Sequence, residues 1–372
     1  MSQAPSSQYP QPQPPSIHCA NFKTYPSDFI VRELMQIVMT GAGEHLWLHI
    51  KKINLNTLFV VKLLAMWADI PMRDVGFSGL KDRHAETYQW FSLRIPNGQM
   101  PAVDFATFIN SQALPSHETL EVTDHVWHNK KLNRGTHKFN HFTVILRDVV
   151  GDSNAINQQL QDLPKIGIAN YFGKQRFGHG GNNINAAETL FKKILASPKP
   201  YKPKRHELEQ HNLLISAAKS LIFNEILSKR IQAGTWNTAI DGEIFNLDGT
   251  GSIFQSEIDD TILTRLHDGD IHPTAILYGV GSRSTGEVLT IERDVLALPA
   301  MQTLTEGLNK IGTKASYRPL RLLPKNLTWQ WLDDDSTNKP ALQLDFTLPS
   351  GTFATSVLSA IAAELNEPSH QK

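Results

Sequence analysis

The hydrophobic residues recur at two different spacings along this chain. Leu46, Leu48 and Ile50 occupy every second position, which predicts a strand, and a short apolar run over residues 29–31 predicts an earlier one. Between the second of these strands and residue 71, the apolar positions lie on one face of a predicted helix. Asn56 can cap that helix, and Pro71 lies just beyond its end.

The stretch over residues 74–95 predicts a strand, a tight polar turn and a second strand. Asp82 lies in the turn. A further strand is predicted from Phe142, and alternation over residues 342–348 predicts another near the end. Apolar residues from Val357 to Leu365 recur at helical spacing, so a strand followed by a helix is expected to close the chain.

Length and local composition predict how the chain is divided. At 372 residues it exceeds the usual size of one hydrophobic core, so two domains are expected. Residues 1–16 are rich in Pro, Gln and Ser, which predicts a disordered tail. The sequence becomes rich in Asn and Gln from about Asp152, and helical segments mixed with glycine-rich loops over 167–322 indicate the second domain.

The totals exclude several classes of protein. Thirty-six Lys and Arg balance 36 Asp and Glu, so any attraction to a polyanion must come from local patches. Cys19 is the only cysteine, which excludes an internal disulfide and zinc sites built on cysteine pairs. There is no apolar run long enough to span a membrane and no secretory signal, so we expect a cytoplasmic protein.

Familiar catalytic motifs fail on particular residues. The segment GVGSRSTGE has two glycines at phosphate-loop spacing, but Glu287 stands where that loop needs its Lys. His137 and His141 are four residues apart without a nearby carboxylate to complete a metal site, so ordinary structural histidines are expected. Signatures of Ser and Cys nucleophiles are missing.

Two polar segments leave their function open. In the first, Asp82 lies between Lys81 and Arg83, and spacing alone favours a solvated turn with local charge compensation over a catalytic site. In the second, basic residues are interleaved with aromatic ones, a pattern that suits single-stranded nucleic acid and equally a solvated strand edge. The basic residues of that segment are Lys130, Lys131, Arg134 and Lys138, and a second basic stretch contains Lys192, Lys193, Lys199, Lys202, Lys204 and Arg205.

Taken together, several motifs in one order resemble the tRNA pseudouridine synthase D family. The resemblance implies an α+β fold: a catalytic domain with a central, mostly antiparallel sheet, and an inserted α/β domain. The catalytic domain would comprise residues 17–166 and 323–372, and the insertion residues 167–322. The motifs are PSDFIVRE, GEHLWLHI, GFSGLKDRHAETYQW, KKLNRGTHKFNHF, IANYFGKQRFG, SAAKSLIFNEIL and LPSGTFATSVL.

The same resemblance implies a function and a site. It implies isomerisation of uridine 13 of tRNA to pseudouridine with Asp82 as the catalytic carboxylate. That reaction requires no cofactor or metal, no protein partner is implied, and a monomer is expected by default. Phe29, Asn140 and Phe142 would contact the target nucleotide. Lys23 would compensate the charge of Asp82 or bind a substrate phosphate. The sequence departs from the family pattern at Phe139 (usually Gly), Ser27 (usually Glu) and Ala169 (usually Pro).

This chemistry makes definite demands on the residues. Whether the carboxylate attacks covalently or removes a proton, Asp82 must be ionised, and a neighbouring cation favours that form, which gives Lys23, Lys81 or Arg83 a task. Unstacking the target base costs a few kcal/mol, and one aromatic face is worth about 1 to 3 kcal/mol. Two alternatives remain: a tRNA-binding module without activity, and a sugar hydrolase in which Glu86 is the second carboxylate.

Overall fold

A computed structural model describes residues 9–334 and 339–368 of the chain. The chain divides into two compact units. The sheet unit comprises Ser16–Asn157, Pro324–Ala354 and Ala362–Lys372, and the insert unit comprises Met1–Pro15, Gln158–Leu323 and Thr355–Ile361. In this division the longest segment of the insert unit, Gln158–Leu323, begins inside a helix, whereas the expected insertion comprised residues 167–322.

The predicted α+β class is confirmed by the elements of the described residues. The strands are β1 (Ile17–Phe22), β2 (Phe29–Leu34), β3 (His45–Ile53), β4 (Val75–Phe77), β5 (Glu86–Arg94), β6 (Thr119–His128), β7 (Phe139–Gly151), β8 (Ile168–Ala169), β9 (Ile244–Leu247), β10 (Ile253–Gln255), β11 (Ile271–Leu277), β12 (Ser316–Pro319), β13 (Arg321–Leu322), β14 (Lys325–Asp334), β15 (Lys339–Pro349) and β16 (Ala362–Asn366). The helices are α1 (Thr57–Trp67), α2 (Phe105–Ser111), α3 (Ser153–Ile166), α4 (Lys174–Phe177), α5 (Asn182–Ala196), α6 (Leu208–Gln232), α7 (Asp260–His267), α8 (Gly286–Leu296), α9 (Pro299–Ile311) and α10 (Ala354–Ile361).

One large, mostly antiparallel sheet forms the sheet unit. Its main path runs β14-β15-β7-β2-β5-β3-β6. Strand β1 pairs with β7, β16 pairs with β1, and β4 pairs with β5. Two neighbouring pairs are parallel, β2 with β5 and β1 with β16, and the others are antiparallel. Since β4 and β5 are antiparallel neighbours, the turn between them lies where β4 ends and β5 begins.

The helix predicted after β3 is present and is capped as its sequence indicates. The side-chain oxygen of Asn56 accepts a hydrogen bond from the backbone N–H of Leu58, which satisfies one of the free donors of the first turn. Val60, Val61 and Leu64 of α1 are buried against the apolar residues of β3 and β5. This packing fixes the junction between β3 and α1.

The insert unit has its own core. Helix α6 is buried along most of its length, and its apolar residues pack with those of α5 and α9. Beside the helices lies an antiparallel sheet in the order β10-β9-β11-β12. None of the helices among residues 9–334 and 339–368 has the length and apolar character needed to cross a membrane.

Two terminal segments differ from their expected structure. Residues 9–15, expected to be disordered, are bound to the insert unit: Tyr9 stacks on Tyr171 with ring centroids 4.8 Å apart and donates a hydrogen bond to Glu225 at 3.0 Å. Residues 1–8 of the expected tail lie outside the described residues. At the other end the helix stops at Ile361, and Leu365 belongs to β16, because β1 offers an unpaired strand edge that the helical spacing does not reveal.

Candidate active site

The Asp82 loop, residues 78–85, joins β4 to β5. Both flanking strands are hydrogen-bonded to each other, as the sequence predicted. The loop carries Lys81, Asp82 and Arg83 in succession. Asp82 was the candidate catalytic carboxylate, and Lys81 and Arg83 were candidates for the cation that compensates its charge. The structure separates them, because the three side chains have three different partners.

Lys23 is the cation that faces Asp82. Its Nζ lies 3.3 Å from Oδ2 of Asp82 and 4.5 Å from the centre of the Phe29 ring. The side chain of Lys23 is 11% exposed and that of Asp82 is 50% exposed. The ammonium is thus largely desolvated on an aromatic face, whereas the carboxylate is open to solvent and to a ligand.

The position of Lys23 depends on the turn between β1 and β2. Lys23 adopts a left-handed backbone conformation, with φ of 58°, that a non-glycine residue keeps only when its surroundings enforce it. Asp28, fully buried in the same turn, accepts two hydrogen bonds from the guanidinium of Arg147 at 2.8 and 2.9 Å and one from the backbone N–H of Tyr25 at 3.0 Å. These bonds fix the turn that presents Lys23 to Asp82.

Lys81 and Arg83, which flank Asp82 in the loop, pair with other carboxylates. Lys81 places its Nζ 2.7 Å from Oε1 of Glu33, and this pair is buried, with side-chain exposures of 6% and 0%. Arg83 pairs with Glu118 at 3.3 Å and donates to the backbone carbonyl of Asn54 at 3.1 Å. Of the three candidates for charge compensation, the geometry therefore assigns contact with Asp82 to Lys23.

Glu33 is a buried carboxylate at the end of β2. Burial raises its pKa, and the charge of Lys81 opposes that rise. Its second oxygen accepts a hydrogen bond from the backbone N–H of Trp90 at 3.1 Å. Because Lys81 immediately precedes Asp82, Glu33 holds the residue next to the candidate catalytic carboxylate.

His137 completes this buried group. Its Nδ1 contacts the hydroxyl of Ser78 and lies 3.8 Å from Oε1 of Glu33, and its Nε2 lies 3.0 Å from the hydroxyl of Ser350. Burial, and then the positive charge of Lys81, lowers the pKa of His137 to about 4. The imidazole is therefore neutral at physiological pH, and its role is to bridge the Asp82 loop to the strand β7 and the end of β15.

The residues expected to contact the nucleotide share one face of the sheet. Directly paired residues of neighbouring strands lie on the same face, and Phe142 pairs with both Val31 and Phe346. The Phe29 and Phe142 rings stack with centroids 6.2 Å apart, and the Phe142 and Phe346 rings with centroids 5.5 Å apart. Phe29 and Phe142 are only 4% and 5% exposed, so neighbouring side chains cover most of both rings.

Asn140 lies on this face two residues from Phe142, where it pairs across the strands with Glu33. It is buried, and within the described residues its Oδ1 has no hydrogen-bond partner. An unpartnered buried acceptor is uncommon in a native protein and needs a physical reason. The structure thus brings Asn140 to the buried group that holds Lys81.

Phe139 needs no glycine-like conformation. It is a regular residue of β7, paired with Leu34 and Pro349, and its φ is not positive. Nζ of Lys325 lies 5.5 Å from the centre of its ring. The departure from glycine is accommodated by extended backbone at this position.

The two basic segments are accessible in their respective units. In the sheet unit Lys130, Arg134 and Lys138 are exposed, and the Arg134 guanidinium lies 4.1 Å from the centre of the Phe77 ring. Lys130 and Lys131 also border a cavity of about 370 Å³. All members of the second segment are exposed on the insert unit: Lys192, Lys193, Lys199, Lys202, Lys204 and Arg205.

Sequence reasoning missed three residues that hold the Asp82 loop. Glu33 belongs to the motif PSDFIVRE, but its sequence context is that of an ordinary polar residue at the end of a strand. The sequence context of Thr57 is that of an ordinary first residue of a helix. Lys52 was assigned no role, yet it is completely buried and donates to the carbonyl of Asp82 at 2.8 Å. The available signal was that Lys52 continues the alternation of Leu46, Leu48 and Ile50, which places it on the buried face of β3 and predicts a satisfied buried charge.

Comparison with known proteins connects this geometry to one family. A family model described as tRNA pseudouridine synthase D (TruD) matches residues 16–197 and 183–361. A protein named tRNA pseudouridine synthase D from Psychrobacter arcticus is 45% identical over 99% of this chain and 96% of its own length. One of the same name from Hydrogenovibrio crunogenus is 40% identical over 91% of both chains. A crystal structure titled as the putative tRNA pseudouridine synthase D of Methanosarcina mazei has the same fold, with a TM-score of 0.70, 20% identity and 96% of each chain covered.

Proposed function

We propose, because this chain belongs to the tRNA pseudouridine synthase D family, that it isomerises uridine to pseudouridine in tRNA with Asp82 as the catalytic carboxylate. The observation that carries the proposal is the pair of Lys23 and Asp82. A half-exposed carboxylate is held 3.3 Å from an ammonium that is itself largely buried on the Phe29 ring. An adjacent positive charge favours the ionised carboxylate, which both possible routes require.

The reaction conserves all atoms of the nucleotide. The bond between N1 of the base and C1′ of the ribose breaks, the base turns, and its C5 forms a new bond to C1′. The proton on C5 is lost, and N1 gains one. Asp82 begins this sequence either by covalent attack or by removing a proton from the ribose, and Lys23 stabilises its charge in both cases.

Asn140 and the aromatic row are the proposed neighbours of the target base. The unpartnered Oδ1 of Asn140 can accept the N3–H of uracil, which would satisfy a buried acceptor. Because Phe29 and Phe142 are largely covered, the base would meet the edge of their row beside Lys23. The fine assignment of the target to position 13 rests on the family resemblance.

The exposed basic residues of both units are the proposed contacts to tRNA phosphates. These local groups of positive charge must supply the attraction to tRNA, because the chain as a whole carries no net charge. Contacts of this kind release counterions, so tRNA binding should weaken steeply as salt rises.

The decisive experiment mixes purified protein with unmodified tRNA transcripts, without added cofactor or metal, and maps pseudouridine by position. Wild-type protein should form it at position 13, and Asp82→Asn should bind the same tRNA without forming it. Asp69→Asn is the matched control, since Asp69 is exposed and its φ of 50° suits asparagine equally well. Product at another position would overturn the assignment to position 13 alone.

The two alternatives give other results. A tRNA-binding module without activity would form no product in any variant. A sugar hydrolase would need a second carboxylate about 5 to 9.5 Å from Asp82. Glu86, the nearest in sequence, is engaged by Lys51 at 3.4 Å and by the hydroxyl of Tyr88 at 2.6 Å. Release of free uracil from the transcript would favour the hydrolase.

A further inference from the structure

Lys52 is a fully buried lysine in β3. Its Nζ donates hydrogen bonds of 2.8 Å to the backbone carbonyls of Leu55 and Asp82. No ion pair recorded within residues 9–334 and 339–368 includes Lys52. A buried ammonium without a paired carboxylate is costly, so a protein that keeps one needs a reason beyond packing.

The charges around Lys52 connect it to the candidate catalytic residue. Burial lowers its pKa to about 8, the carboxylate of Asp82 opposes that fall, and the ammonium of Lys81 adds to it. Lys52 is therefore still positively charged at neutral pH. Lys52 and Asp82 therefore attract each other, in addition to the hydrogen bond that joins them.

The same ammonium joins two pieces of backbone. Leu55 lies in the turn between β3 and α1, and Asp82 lies in the Asp82 loop, so Lys52 ties the loop to the start of the helix. One residue earlier, the backbone N–H of Lys81 donates to the hydroxyl of Thr57 at 3.0 Å. Two consecutive residues of the loop are thus held on the junction of β3 and α1.

We propose that Lys52 is a positioning residue for the reaction: it fixes the backbone of Asp82 so that the carboxylate meets Lys23. This inference rests on the proposed function, in which Asp82 is catalytic. Lys52 acts through Asp82 and requires no contact with the nucleotide. A displacement of about 1 Å in a reacting group is enough to lower a rate by about 100-fold.

The chain provides a matched control at the preceding position. Lys51 carries the same charge on the same strand, but alternate residues of a strand face opposite sides, and Lys51 pairs with Glu86. Lys52→Met and Lys51→Met therefore each remove one positive charge. Only the former should affect Asp82.

The test measures kcat and KM for a tRNA transcript. In Lys52→Met, kcat should fall by about 10- to 100-fold while KM stays within about threefold. Lys51→Met should keep the wild-type kcat and KM. Lys52→Arg, which keeps the charge and the N–H donors, should restore most of kcat.

An equal fall of kcat in Lys51→Met, or a Lys52→Arg variant as slow as Lys52→Met, would overturn the proposal, because the loss of a positively charged donor at position 52 would then not explain the effect. Unchanged kcat in folded Lys52→Met would overturn it as well. If that variant does not fold, Lys52→Gln, which keeps an N–H donor and loses the charge, decides by the same criteria. Failure of the proposed function is distinguishable, because the wild type itself would then form no pseudouridine.

Discussion

Lys81 and Asp82 are neighbours in the chain, yet their ion pairs differ in almost every physical respect. Lys81 meets Glu33 at 2.7 Å with both side chains buried, whereas Asp82 meets Lys23 at 3.3 Å with half of its own side chain exposed. A buried pair is lost only at a high energetic cost, and an exposed pair contributes little to stability. The loop thus separates the task of holding the backbone from the task of presenting a reactive group.

The largest expected effect comes from breaking the buried pair. Glu33→Leu leaves Lys81 buried without its carboxylate, and the free energy of unfolding should fall by about 3 to 5 kcal/mol. Urea denaturation measures this change. Glu118→Leu is the control, because it breaks the more exposed pair with Arg83 and should cost about 1 kcal/mol or less.

The double variant Glu33→Leu, Lys81→Met sharpens the same comparison. With both charges gone, no buried charge is left uncompensated, so most of the lost stability should return. Equal stability of Glu33→Leu and the Glu118→Leu control would contradict the contrast between the two sides of the loop.

The second effect is an acid sensitivity of the buried group. The pKa of His137 is lowered from its ordinary 6.5 to about 4, so the folded state disfavours protonation of this residue. The resulting stability is present above pH 6.5 and is lost as the pH falls toward 4, by about 3 kcal/mol at most. The free energy of unfolding, measured from pH 7 to pH 4, should therefore fall more steeply in the wild type than in His137→Gln. Parallel curves would show that His137 titrates normally.

The smallest effect on stability is expected on the open side of the loop. Lys23→Met should change the free energy of unfolding by about 1 kcal/mol or less, because Asp82 is half exposed. Its kcat should nevertheless fall, because Asp82 loses the ammonium that faces it. Lys339→Met, which removes an exposed pair with Asp148, is the control for both measurements. A large loss of stability with unchanged kcat would reverse the assignment.

The sequence predicted the Asp82 loop because its causes are local. Alternation marks the flanking strands, and Asn56 marks the start of α1. The sequence could not choose among Lys23, Lys81 and Arg83 as the partner of Asp82. That choice depends on Glu33 and Glu118, which distant strands bring to the loop.

Two other differences have the same origin. Leu365 continues the helical spacing of the preceding residues, but pairing with β1, more than 300 residues earlier in the chain, places it in a strand. The segment around Tyr9 is too polar to predict a packed structure. Its order comes from Tyr171 and Glu225 of the insert unit, which its own composition does not reveal.

The pairing of β1 with β16 has a consequence for biosynthesis. Strands β14, β15 and β16 emerge from the ribosome only after the whole insertion has been made, yet they complete the sheet that β1 and β7 begin. The insertion has its own core and can therefore fold on the nascent chain. During that time the edges of the early strands β1 and β7 remain unpaired. A synthesis pause at any point between β7 and the end of β16 therefore leaves strand edges unpaired, and an unpaired edge favours aggregation of the unfinished chain.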